Sequence, residues 1–243
     1  MAQLQHVENQ SFAHKIRPMS RLWKQRDIWQ ISILFVLIYL LGSLGLGVAS
    51  TRLQSSPLFI FLVLAISAAA GIGSVLWVNG WRQQHNWQSL GFIPFSRRWF
   101  YAGTFLSIVF VVGRTLLLEQ LPNVFPALEW GIDLLNDSLS FDTAAAAIYT
   151  GVGLVIVAPL WEELFFRGFI HNAIRNRMGM WGGILVSSLL FGLYHMVPLQ
   201  IVGAFLLGLP LAWAYEKTGS LWLIIYMHAL NNLLAFLYAY FIL

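Results

Sequence analysis

A few polar side chains stand inside otherwise unbroken apolar sequence, and their spacing is orderly. Glu162, Glu163 and Arg167 lie in one apolar stretch, His195 in the next, and His228, Asn231 and Asn232 close to the end of the sequence. Glu163 and Arg167 are four apart, so on a helix they share a face with the acid on the favoured N-terminal side. Phe191 and His195 repeat that spacing, as do His228 and Asn232. Each of three helices thereby offers two groups one turn apart on a single stripe. A carboxylate kept out of water is a stronger base than one in water. A neighbouring histidine holds a water against it and shuttles the proton. Donors from a histidine and an amide one turn apart stabilise an oxyanion. These parts suffice for attack of water on an amide carbonyl, with Glu162 as general base, His195 as its partner, and His228 and Asn232 as oxyanion donors. Arg167 keeps Glu163 ionised and fixed.

The elements that must carry these groups are membrane helices. The chain of 243 residues is 58% hydrophobic and only 10% charged, where a soluble domain has about 25% charged residues. Several runs of about 20 residues carry no charge, the length a helix needs to cross the hydrocarbon. Segments near 28–49, 57–79, 98–118, 143–163, 180–197, 199–215 and 219–241 read as spans, the fourth continuing as a helix to about Arg177. The expected fold is an all-α polytopic bundle of about seven spans enclosing a polar catalytic cavity. The apolar runs are continuous rather than alternating, which argues against a closed barrel. Segments four and five form a hairpin at Met178–Gly179, with Glu162 16 residues before Met178 and His195 16 after Gly179. Both therefore lie about 24 Å from the turn, level with each other. His228 and Asn232 enter about 14–20 Å beyond Gly219.

Charge sorts the loops. Lys15, Arg17, Arg21, Lys24 and Arg26 precede the first span; Arg82, Arg97 and Arg98 follow the second, Arg175 and Arg177 the fourth, and Lys217 the sixth. On the alternate side the first loop has Arg52 alone. The third (119–142) carries Glu119, Glu129, Asp133, Asp137 and Asp142, with Val124, Phe125, Leu128, Trp130, Leu134 and Leu135 suited to an interface. The positive-inside rule then puts the N-terminus in the cytoplasm, and the bacterial-type cytoplasmic membrane is the expected location. Three regions follow: a basic tail over 1–27, N-terminal membrane helices with an acidic exterior loop over 28–142, and catalytic helices over 143–243. The +4 charge lies beside the spans, which favours lipid head groups over nucleic acid. No cysteine is present, so thiolate chemistry and disulfides are excluded. Glycine clusters at Gly42–Gly47, Gly71–Gly73 and Gly179–Gly183 lack the Lys-Ser/Thr of a phosphate loop and suit close helix packing.

Plainer roles stand beside the chemical ones. Glu163–Arg167 reads equally as a structural ion pair, and His228 with Asn232 as interhelical polar glue. Asn231 points to a neighbouring face and is the weaker candidate. Phe191 reads as packing that positions His195, while His85 and His171 read as bystanders. Arg97 and Arg98 are flanked by aromatics, as head-group anchors are. Arg114 has two options, a pair with Glu119 or a place in the cavity wall.

Glu162-Glu163-x-x-x-Arg167, Phe191-x-x-x-His195 and His228-x-x-x-Asn232, with the flanking WEELFFRGF and HALNN, resemble the three motifs of the CAAX protease and bacteriocin-processing family of intramembrane proteases. That family includes the type II CAAX prenyl endopeptidases. The resemblance covers roughly residues 143–240. It implies an intramembrane endopeptidase acting on a membrane protein or peptide, prenylated ones included, through a glutamate-activated water. It also implies an activating role for Glu162 with His195, an oxyanion pair in His228 and Asn232, and a supporting pair in Glu163 and Arg167. No cofactor is expected to be required. The family has also been described as metalloproteases, which would make Glu162, His195 and His228 ligands to a divalent ion such as zinc, although His-Glu-x-x-His is missing. The alternative is a non-catalytic membrane immunity, scaffold or maturation protein of the same fold.

Overall fold

The computed structural model describes residues 26, 30–38, 41, 57–78, 87–126 and 143–242. Every regular element among the described residues is helical. Residues 30–38 form α1, Pro57–Val78 α2 and Arg97–Val124 α3. A helical run of 51 residues, Ala144–Tyr194, divides at Gly179 into α4 (144–178) and α5 (180–194). Pro198–Thr218 is α6 and Leu221–Ile242 is α7.

Gly179 divides the long run because its backbone takes φ 71°, ψ −175°, a left-handed φ that strains any side-chain-bearing residue. Beyond it the chain doubles back. His171 on α4 lies 3.3 Å from Ser187 on α5. Further along, Phe166 meets Phe191 with ring centroids 5.1 Å apart, and Trp161 meets Tyr194 at 5.3 Å. The hairpin expected at Met178–Gly179 is therefore present. Its last contact places the residues that follow, Glu162 and His195, at one level.

Local signals fix the other ends. Ser96 accepts from Trp99 N–H at 3.4 Å to cap α3, and Thr143 accepts from Ala146 N–H at 3.1 Å to cap α4. Gly219, with φ 65°, closes α6 by donating to Tyr215 O at 2.7 Å. Two π-helical stretches, Gly153–Val157 and Leu164–His171, flank Ala158–Glu163 within α4. Such widening leaves backbone carbonyls short of their usual partners. Side chains supply them here: Asn172 donates to Arg167 O and Gly168 O at 2.9 and 3.1 Å, and Asn232 donates to Leu154 O at 2.8 Å.

Among the described residues four helical runs are long and apolar enough to cross a membrane: α3, Ala144–Tyr194, α6 and Leu221–Phe241; Ala65–Trp77 within α2 is a shorter apolar helix. These four runs carry five of the seven expected segments, the third to the seventh. The 51-residue run contains both the expected fourth and fifth segments, and α5 rises only about 22 Å before it stops, less than the hydrocarbon thickness. The expected first segment is described only in part. The basic residues Lys15 to Lys24, Arg52 and Arg82, and the acidic residues Glu129, Asp133, Asp137 and Asp142, lie outside the described residues, as does the interfacial stretch from Leu128 to Leu135. One boundary is corrected. The third span does not end at 118, because α3 continues through Pro122 to Val124. Glu119 is thus a helix residue and accepts from Tyr238 Oη at 3.2 Å.

Glycines set how closely the helices approach. A Cβ on Gly192 would lie 2.7 Å from Ile201 O, and one on Gly208 would lie 2.8 Å from Ser188 Cβ, so α5 and α6 meet backbone to backbone. Gly71 leaves room for Trp161, whereas nothing lies within 4 Å of a Cβ on Gly73. The close-packing role read from the sequence therefore holds for Gly71 and not for Gly73. Gly192→Val is expected to force α5 from α6 and cost about 1–3 kcal/mol, the range for overpacked interiors. Gly73→Ala is expected to leave the melting temperature unchanged. Thermal unfolding of the two variants in detergent checks this difference.

Candidate active site

The centre of the molecule is charged and closed. Glu163, Arg167 and Asn231 have no exposed surface, and Glu162 and His228 retain 4% and 2%. Arg167, one turn after Glu163 on α4, donates from Nη1 to Glu163 Oε1 at 2.8 Å. Its Nη2 donates across to Gly208 O on α6 at 3.2 Å, and its Cζ lies 4.5 Å from the Phe191 ring centroid. The same Glu163 Oε1 sits 2.7 Å from His228 Nδ1 on α7. One carboxylate oxygen thus collects a guanidinium and an imidazole from two helices.

Glu163 with a guanidinium bound is a pure acceptor, so His228 Nδ1 carries the hydrogen. Nε2 of His228 then faces the other carboxylate, 3.7 Å from Glu162 Oε2. Glu162 has no cation of its own: Arg167 pairs with its neighbour. Its side chain keeps 6% exposure where that of Glu163 has none, which makes Glu162 the carboxylate that faces an opening.

His195 closes α5, and its Nδ1 lies 2.9 Å from Phe191 O. A carbonyl only accepts, so this ring also carries its hydrogen on Nδ1 and leaves Nε2 free. Phe191 organises the group. Its ring meets His195 at 5.0 Å and His228 at 5.7 Å, both edge-on, while Arg167 lies over its face. The packing role expected of Phe191 is present and extends to three polar groups.

Asn232, expected beside His228 as an oxyanion donor, spends one N–H on Leu154 O and accepts from Asn231 Nδ2 at 3.3 Å. Asn231 is more buried than Asn232, and its Oδ1 has no hydrogen-bond partner. The structure therefore joins Glu162, Glu163, Arg167 and His228 directly, holds His195 to them through Phe191, and anchors Asn232 to the first π-helical stretch. Among the described residues, no group of three His, Asp or Glu side chains is arranged to hold a metal ion. The set Glu162, His195 and His228 does not fit a divalent cation as it stands.

One cluster escaped the sequence reading. His171, read as a bystander, is fully buried. Its Nε2 lies 2.8 Å from Glu216 Oε1 on α6, and Arg175 Nε lies 2.5 Å from the same oxygen. The available signal was Glu216 itself, a lone acid at the end of an apolar run.

Comparison with known proteins places this geometry. Residues 144–234 match the family described as "Type II CAAX prenyl endopeptidase Rce1-like". The "Putative membrane peptidase YdiL" of Bacillus subtilis (strain 168) is 30% identical over 77 residues, covering 32% of each chain. An "Uncharacterized 24.3 kDa protein" of Escherichia coli is 34% identical over 125 residues, 49% of this chain and 52% of its own. The chain thus spans about a third and about half of the lengths of these curated relatives. No solved structure matches it. Glu162, His195 and His228 all fall inside the matched region, so it is residues 144–234 that are similar to the Rce1-like type II CAAX prenyl endopeptidases.

Proposed function

We propose that the protein is an intramembrane endopeptidase that hydrolyses a peptide bond of a membrane-associated protein or peptide with a water activated by Glu162. The observation that carries this reading is the unequal treatment of two adjacent buried carboxylates. Glu163 is held by Arg167 and by His228 Nδ1, while Glu162 binds no guanidinium, has His228 Nε2 at 3.7 Å, and keeps 6% side-chain exposure where Glu163 keeps none. A carboxylate that has no partner of its own is free to accept a proton from water.

In this mechanism the water oxygen attacks the carbonyl carbon as its proton passes to Glu162. His195 steadies the water through its unprotonated Nε2. The oxyanion is met by the second N–H of Asn232 and by His228, whose Nε2 donates when the ring is protonated and balanced by Glu163. Collapse of the tetrahedral intermediate breaks the C–N bond, and Glu162 returns its proton to the leaving amine. The bundle of about seven spans with a water-accessible chamber, and the N-terminus in the cytoplasm of a bacterial-type membrane, belong to the same proposal. Prenylated substrates are included in it by the family match, and the type of membrane peptidase named in the Bacillus subtilis relative agrees with it.

Three outcomes test it. Glu162→Gln and His195→Ala are each expected to lower turnover by at least about 100-fold, the lower end for general acid–base groups. Membrane peptidomes from cells with wild-type and Glu162→Gln protein measure this and name the substrate. Products persisting in the variant would favour the immunity or scaffold alternative. The two carboxylates are expected to separate in stability. Glu163→Gln leaves Arg167 buried without its anion and costs about 3–5 kcal/mol, whereas Glu162→Gln melts within a degree or two of wild type. Differential scanning fluorimetry in detergent resolves that gap. Turnover is also expected to survive exhaustive chelation, with elemental analysis showing no stoichiometric metal; loss on chelation and recovery with zinc would assign the metal chemistry instead.

A further inference from the structure

Arg114 stands apart from everything above. It lies in the middle of α3, an apolar membrane-crossing helix, where a charge without a partner costs several kcal/mol. Its expected partner is taken, because Glu119 accepts from Tyr238. No carboxylate among the described residues pairs with it. Its Nε is closed off with no hydrogen-bond partner, while its terminal nitrogens are not closed off.

Packing shows where this guanidinium sits. α3 and α6 run antiparallel: Trp99 meets Trp213 at 5.8 Å near one end, and Arg114 Cδ approaches Gly203 near the other, 3.6 Å from where a Cβ would be. Gly203 lies five residues into α6, about 8 Å along the axis from its first residue. The turn at 195–197 that bears His195 immediately precedes that residue. Gly203 lets the arginine stem lie against α6, toward the end of that helix which the turn bearing His195 precedes.

The geometry points to Arg114 as a substrate-anchoring residue that binds a carboxylate of the peptide, at its C-terminus or on an acidic side chain, beside the scissile bond. This rests on the endopeptidase reading and adds to it the charge that a productive substrate carries. A guanidinium donates two parallel N–H···O bonds to a carboxylate and so recognises it specifically. The anion would supply a partner that Arg114 lacks among the described residues.

The test uses the full-length protein in nanodiscs and matched hydrophobic peptides. One set ends in a free carboxylate and its twin in an amide; a further pair places Glu or Gln within three residues of the end. Wild type is expected to prefer one anionic form by at least about tenfold in kcat/KM, carried by KM, in keeping with a charged hydrogen bond. Arg114→Gln brings that ratio to about one, and Arg114→Lys restores part of it. Binding of the same peptides to Glu162→Gln protein runs in parallel by fluorescence anisotropy, so the result does not depend on turnover. A tenfold affinity preference that Arg114→Gln removes, without cleavage by wild type, would support the anchor and end the peptidase reading. An equal ratio in wild type, or an unchanged ratio in Arg114→Gln, in both assays would overturn the anchor and leave the peptidase reading intact.

Discussion

The arrangement depends on one oxygen atom, Oε1 of Glu163, which lies 2.8 Å from Arg167 Nη1 and 2.7 Å from His228 Nδ1. Burying a carboxylate and a guanidinium together is costly unless their hydrogen bonds are made. Here Glu163 Oε1 and both terminal nitrogens of Arg167 have partners on different helices, while Glu163 Oε2 and Arg167 Nε have none. The acid and the arginine come from α4, the imidazole from α7, the carbonyl of Gly208 from α6, and the aromatic face under the guanidinium from α5. Removing Glu163 would leave no shared anion to join these four helices.

That same pairing decides the protonation of the imidazoles. Glu163 fixes a hydrogen on Nδ1 of His228, and Phe191 O does so for His195. Both rings therefore turn Nε2 toward the remaining space, as a free lone pair in the neutral form. A ring orientated in this manner can accept from water but cannot donate to an oxyanion until protonated. The sequence motif places two histidines and says nothing of this distinction, which only the partners of Nδ1 reveal.

Legibility followed the same division. Helices, the turn at Gly179 and the level match of Glu162 with His195 were readable, because helical rise and an apolar pattern determine them without reference to neighbours. Glu163–Arg167 was readable from its spacing alone. What the pattern could not carry was contact across helices: that Glu163 rather than Glu162 takes His228, that Asn232 spends an N–H on Leu154, and that His171 meets Glu216. The two π-helical stretches were invisible for a related reason. They shift the face of α4 by a fraction of a turn, and no residue type marks them. The end of the third span was misplaced because Glu119 looked like a loop acid, when Tyr238 on α7 satisfies it within a helix.

The short length of α5 ties fold to chemistry. α4 continues well beyond the level of Glu162 to Ala144, but α5 halts at His195, and the chain passes through Met196, with φ 64°, before α6 begins at Pro198. Non-helical backbone partway along membrane-crossing helices is tolerated only where protein surrounds it or water reaches it. Met196 is 80% exposed, and the turn meets its own backbone needs, with the N–H groups of His195, Met196 and Val197 donating to Gly192 O, Leu193 O and His195 O. Helical rise from Gly179 sets the level of His195, and the stop after Tyr194 makes it the residue at which the chain leaves the helix. The end of α5 thus leaves His195 at a helix terminus, with its Nδ1 held by Phe191 O and its Nε2 free, at a level that the hairpin has already fixed.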